Sequence, residues 1–131
     1  MKFTLLSLGM LFCLLLTACA PSDSLNDTTW ILSSLQGQPA LLDKTVTLNF
    51  EDGTLSGTDG CNSYSTAYQI SGEKLTIDKN IISTMMACAD PIMQQASAFS
   101  AALIKTAAYQ IKDQELSLLD ENGQVLAIFT K

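Results

Sequence analysis

Cys61 and Cys88 carry the most specific chemistry in this sequence. In an oxidising compartment such a pair most simply closes a disulfide, and chain entropy alone would make that crosslink worth about 3.5 kcal/mol for a loop of this length. Free buried thiols are the alternative. Redox catalysis needs a Cys-x-x-Cys spacing or a cationic neighbour that lowers the thiol pKa, and neither is present; a zinc site would need two further ligands without histidine. The chain has no histidine, and all seven basic residues are lysine. That excludes Ser-His and Cys-His nucleophiles, His-ligated zinc and the bidentate guanidinium forks that read phosphate. Thirteen acidic residues bring the net charge to -6 and the pI to about 4.3, so nucleic acid is repelled and is no expected partner. The carboxylates of Glu51-Asp52 and Asp120-Glu121 sit in turn signals and are read as solvated. No stretch has the alternating carboxylates of a calcium loop. No metal, cofactor or catalytic residue is expected.

One loop remains. Gly57-Thr58-Asp59-Gly60-Cys61-Asn62-Ser63-Tyr64 packs two glycines, Asp59 and Asn62 into eight residues. Such residues tolerate φ > 0 and satisfy local backbone N–H groups, which predicts a tight, side-chain-buttressed turn pinned by Cys61. The competing reading is a ligand-facing loop in which Asp59, Asn62 and Tyr64 supply polar contacts.

The elements that must position these residues follow a period of two with one helical interruption. Thr29-Trp30-Ile31-Leu32 opens as a strand. Val46, Leu48 and Phe50 alternate with polar residues, and Glu51-Asp52-Gly53 turns that strand into Thr54-Leu55-Ser56-Gly57. Residues 67–70 and 74–77 read as a second hairpin through Ser71-Gly72-Glu73. Asp90-Pro91 signals a helix, with Asp90 as cap and Pro91 at the first position. Ile92, Ala96, Phe99, Leu103 and Ala107 form its apolar stripe, widened by Met93 and Ile104. Residues 108–112, 115–119 and 124–129 complete the strands. The expectation is an α+β domain: a strongly curved, barrel-like antiparallel β-sheet of about seven or eight strands, with one packed α-helix covering an opening.

Ahead of the domain, Lys2 and the apolar run Phe3–Leu16 have the form of a signal peptide, too short for a comfortable membrane span. Its end, Leu16-Thr17-Ala18-Cys19, resembles the bacterial lipobox. The resemblance implies cleavage after residue 18 and lipidation of Cys19, whose several acyl chains would anchor the protein stably. Ala20 rather than Asp after the lipid-bearing Cys implies, by the same resemblance, the outer membrane facing the periplasm. Losing Lys2 with the leader takes the net charge to -7. The organisation expected is a signal peptide over 1–18, a lipidated tether over 19–26 and one domain over 27–131.

The loop around Cys61, the block Ile82-Ser83-Thr84-Met85-Met86-Ala87-Cys88 and the opening Trp30-Ile31-Leu32 together resemble the META domain, the heat-shock HslJ-like family, across residues 27–131. One departure is Gln95-Ala96-Ser97-Ala98-Phe99, where many relatives carry an acidic residue shortly before the Phe. The resemblance implies an envelope protein associated with heat shock and tolerance of novobiocin-type antibiotics, without an established enzymatic activity or cofactor. Two functions follow as expectations. One is a non-enzymatic, membrane-anchored, monomeric module that contacts an envelope protein. The other is a binder that sequesters a small apolar ligand inside the curved sheet.

Overall fold

The computed structural model describes residues 23–131. The expected signal peptide, the expected lipidation site Cys19 and the first residues of the expected tether lie outside the described residues.

Ten strands and one helix are laid down in the order β1 (Thr28–Leu35), β2 (Gln38–Pro39), β3 (Thr47–Glu51), β4 (Thr54–Thr58), β5 (Ser63–Ser71), β6 (Lys74–Ile77), β7 (Ile82–Ser83), α1 (Asp90–Lys105), β8 (Ala108–Lys112), β9 (Glu115–Leu119) and β10 (Val125–Thr130). Eight of the strands close a ring, in the order β1-β3-β4-β5-β6-β8-β9-β10 and back to β1. Every pairing is antiparallel, with Trp30 opposite Leu48 and Leu32 opposite Phe129. The ring is narrowest between β6 and β8, which share the single register pair Lys74–Ala108. The two-residue strands β2 and β7 pair with β1 and β5 outside the ring. The curved, barrel-like α+β sheet expected from the sequence is therefore present, with eight ring strands and two short flanking ones.

Short turns set the registers. Asp52 and Gly53 both adopt positive φ (47° and 79°) and join Glu51 to its partner Thr54, the twist-matching hairpin geometry that Asp-Gly favours. Asp120 Oδ1 accepts the amides of Asn122 and Gln124 at 2.8 and 2.9 Å, holding the turn into β10.

Alternation carries the inward face. Val46, Leu48 and Phe50 are buried, as are Trp30, Leu55, Leu75, Leu116, Leu118 and Phe129 from the other strands. At one end Phe99 of α1 lies between Tyr64 of β5 (ring centroids 5.5 Å) and Phe129 of β10 (6.3 Å). These strands are diametrically opposite in the ring, so the helix lies across that opening.

The helix differs from expectation at its edges. Its cap is Ala89, with no side-chain acceptor, while Asp90 falls in the first turn beside the proline. There its charge meets the positive end of the helix dipole. Its buried face is narrower than the expected stripe: Ala96, Phe99, Ala102 and Leu103 are buried, whereas Met93 and Ile104 are exposed. A helix that covers only a ring opening meets the protein along one line of side chains.

The other end is closed by residues assigned from sequence to the tether. Leu25 is fully buried in the core. Asp23 Oδ2 accepts the Tyr68 hydroxyl at 2.8 Å, and the hydroxyls of Ser24 and Tyr109 lie 2.7 Å apart. Thr28 Oγ1 donates to the Leu25 carbonyl and accepts from Trp30 Nε1. Residues 23–25, expected in the tether, thus pack against the ring. A single apolar residue in a polar stretch leaves no periodicity to read, yet one leucine suffices to fill the mouth.

Candidate functional site: the Cys61 loop and the strap it holds

Thr47, on β3, is the fixed point of the site. Its carbonyl accepts the Tyr64 hydroxyl at 2.6 Å and its Oγ1 accepts the Thr58 amide at 3.2 Å. Gly57 passes so close that an added Cβ would lie 2.3 Å from the Thr47 carbonyl oxygen. The first glycine of the loop is thus required by the approach of two backbones. At Gly60 the requirement is conformational, with φ 95°.

Asp59 folds the loop on itself. Its Oδ1 accepts the amides of Cys61 (2.8 Å) and Asn62 (2.6 Å), and its own amide donates to the Asn62 carbonyl at 2.9 Å. Cys61 is bonded to Cys88, with Cα atoms 6.0 Å apart, so the disulfide alternative holds over free thiols. Asn62 then reaches across to the segment before Cys88. Its Oδ1 accepts the Met86 amide at 2.7 Å and the Thr84 hydroxyl at 3.0 Å, and its Nδ2 donates to the Met86 carbonyl. The Thr84 amide donates to the Ser63 carbonyl at 3.0 Å.

The structure therefore brings Asp59, Cys61, Asn62, Tyr64 and Cys88 together, but Asp59, Asn62 and Tyr64 are buried with their polar groups turned inward. Burial, reinforced by the Asp59 charge, holds the Tyr64 hydroxyl well above the usual tyrosine range, so it stays a neutral donor. This is a buttress, and what it supports is on its outer side. Ile82–Cys88 runs as a strap beside Cys61–Ser65, beginning as β7. Ile82, Met85 and Met86 point outward, with Met85 97% exposed. No residue from Asn80 to Ala89 is charged.

The sequence motif points to the polar residues of the loop and not to the display of Ile82, Met85 and Met86. The signal was present in an uncharged run ending at a crosslinked cysteine, but burial and exposure give such a run the same composition.

Concavities offer less. The ring interior is filled by Trp30, Phe50, Phe99 and Phe129, all nearly fully buried. A groove of about 540 Å³, open to solvent, is lined by Ser24, Trp30, Glu73, Tyr109 and Lys131, with the Lys131 ammonium 5.0 Å from the Trp30 ring centre. A second, of about 370 Å³, separates α1 from β1 and β2. On its floor Gln95 Oε1 accepts the Leu41 amide at 2.8 Å, while the buried Nε2 has no partner. No group of three or more His, Cys, Asp or Glu is placed to hold a metal ion among the described residues.

The family model of the META domain matches residues 23–131. A protein solved by NMR is 26% identical, with a TM-score of 0.65 over 81% of this chain and 90% of its own. A protein from Burkholderia xenovorans, also solved by NMR, is 28% identical, with a TM-score of 0.64 over 82% of this chain and 83% of its own. A DUF4847 family protein from Bacteroides vulgatus shares the fold at 17% identity and a TM-score of 0.63, over 82% of this chain and 94% of its own. No curated protein matches.

Proposed function

The chain belongs to the META domain family, and from that membership we propose that it is a non-enzymatic module of the bacterial cell envelope, lipid-anchored at Cys19 and facing the periplasm, that contacts proteins through the Ile82–Met86 strap. One observation carries this reading: a rigid, uncharged segment presents Ile82, Met85 and Met86 to solvent on a protein whose ring interior is already full. Apolar side chains displayed together mark contact surfaces, and a disulfide plus the Asn62 hydrogen bonds order this one in advance. The sequestering of a small apolar ligand, the other function expected, needed space inside the sheet that Trp30, Phe50, Phe99 and Phe129 occupy. Tolerance of heat or of novobiocin-type antibiotics would follow from the contact, without a reaction at this protein.

The test places a photo-crosslinking residue at Met85 in intact cells, with the same residue at the exposed Gln110 as control. Adducts at 85 and not at 110 are expected. Equal labelling at both removes the strap from the reading. Cys19→Ala should move the protein from the membrane to the soluble fraction, and continued membrane retention would remove the anchor.

A further inference from the structure

Resting on the strap as a contact face, we propose that it takes its partner by β-augmentation: an extended polypeptide segment, apolar at alternate positions and flanked by basic residues, adds as a strand along the outer edge of Ser83–Ala87.

Backbone alternation places that edge. The amides of Thr84 and Met86 point inward, to Ser63 and Asn62. The ladder with β5 ends at Ser83, but the inward amides continue at every second residue, Thr84 and Met86, and among the described residues no partner meets the intervening amides of Met85 and Ala87. Folded proteins blunt such an edge with charge, proline or a covering element. Asn80–Ala89 has neither charge nor proline, and its residues from Ile82 to Ala87 are all exposed. A row of unpaired donors and acceptors between apolar side chains is satisfied by another extended chain, whereas an apolar surface or a small molecule leaves the backbone unpaired. Because the strap is already held, binding does not have to order it.

The first described residues pack away from the strap. The undescribed N-terminal residues join at Asp23, against Tyr68, while the strap lies beside Tyr64. These two residues stand four apart on β5, about 13 Å along the strand and at opposite ends of the ring. The strap thus stands at the end of the ring opposite residues 23–25, so a partner there does not have to displace them. The net charge, -6 for the whole chain and -7 without Lys2, favours a segment with basic flanks.

The probe is a short fluorescein-labelled peptide alternating valine and threonine between terminal lysines, titrated by anisotropy into the full-length protein in detergent. A fully N-methylated copy keeps the side chains and removes the donors. We expect the methylated copy to bind at least about tenfold more weakly, and hydrogen exchange at Met85 and Ala87 to slow when the parent peptide binds. Met85→Pro deletes the central outward donor from an extended position and should lose at least about tenfold in affinity. Met85→Lys, which leaves the backbone intact, should weaken binding less. Retention of the disulfide and the melting temperature verifies the fold of each variant.

Equal binding of the two peptides, or unchanged binding by Met85→Pro, overturns β-augmentation while leaving the strap as a contact face. Strap-dependent self-association without peptide binding also overturns it, in favour of a second copy. Absence of adducts at position 85 in cells overturns the reading beneath it.

Discussion

Substituting Leu25 by alanine tests whether the ring mouth is part of the folded domain. Leu25 is 0% exposed and contacts the same core as Trp30, Phe50 and Tyr68. Truncating a fully buried leucine to alanine loses both transfer free energy and packing, about 2–5 kcal/mol in all. A mid-range loss of about 3 kcal/mol lowers the melting temperature of a domain this size by roughly 12–15 °C. Removing the whole segment, so that the chain starts at Asp27, also deletes the Asp23–Tyr68 and Ser24–Tyr109 hydrogen bonds. Those contribute about 1 kcal/mol each. The total, about 5 kcal/mol, is comparable with the entire stability of many small domains. Circular dichroism melts of soluble chains beginning at Asp23, at Asp23 with Leu25→Ala, and at Asp27 should therefore fall in that order. A chain starting at Asp27 that melts within about 2 °C of the one starting at Asp23 would refute the reasoning.

Gly57→Ala should destabilise by about 3 kcal/mol or more, because the Thr47 carbonyl that the new methyl meets is held in β3 and accepts the Tyr64 hydroxyl; an unchanged melt would contradict the close approach. Reducing Cys61–Cys88 should lower stability by about 3.5 kcal/mol, read from denaturant midpoints with and without reductant, and thiol titration of the unreduced, denatured domain should find both cysteines unreactive. Tyr68 is pushed up to about 12, first by burial and then by its hydrogen bond to Asp23 and that carboxylate's charge. Since the folded value lies above the ordinary 10.0, the associated stability is complete below pH 10 and lost as pH rises towards 12. Melting temperatures across that interval should fall, and should fall less steeply in Tyr68→Phe.

Much of the fold was legible because it rests on local rules. Val46, Leu48 and Phe50 alternate, so their strand and its buried face follow directly, and Asp52-Gly53 specifies a hairpin by its φ angles alone. The pairing of Cys61 with Cys88 was legible from compartment and count. What was not legible depends on distant partners. Leu25 is buried by a ring mouth built from residues far along the chain, and nothing around it repeats. Met93 and Ile104 have helical spacing from buried residues but lie beyond the rim the helix covers. Asp59 and Asn62 were recognisable as loop-formers, yet their direction was not: only the position of Ile82–Cys88 shows that Asn62 holds a neighbouring strand. Thr47, which receives hydrogen bonds from both sides of the loop, is an ordinary residue in an alternating strand.

The pairing of β1 with β10 has a consequence for when such a chain can fold. Ile31 lies opposite Thr130, so the first strand finds one of its two ring neighbours only in β10, at residues 127–130. Long-range closure of this kind is slow and comes late, after the intervening hairpins have formed. A chain emerging end-first from the ribosome therefore cannot complete its ring until β10 has emerged. The same arrangement that seals the finished domain holds its closure back until the last strand is made, so the fold arrives all at once and not piece by piece.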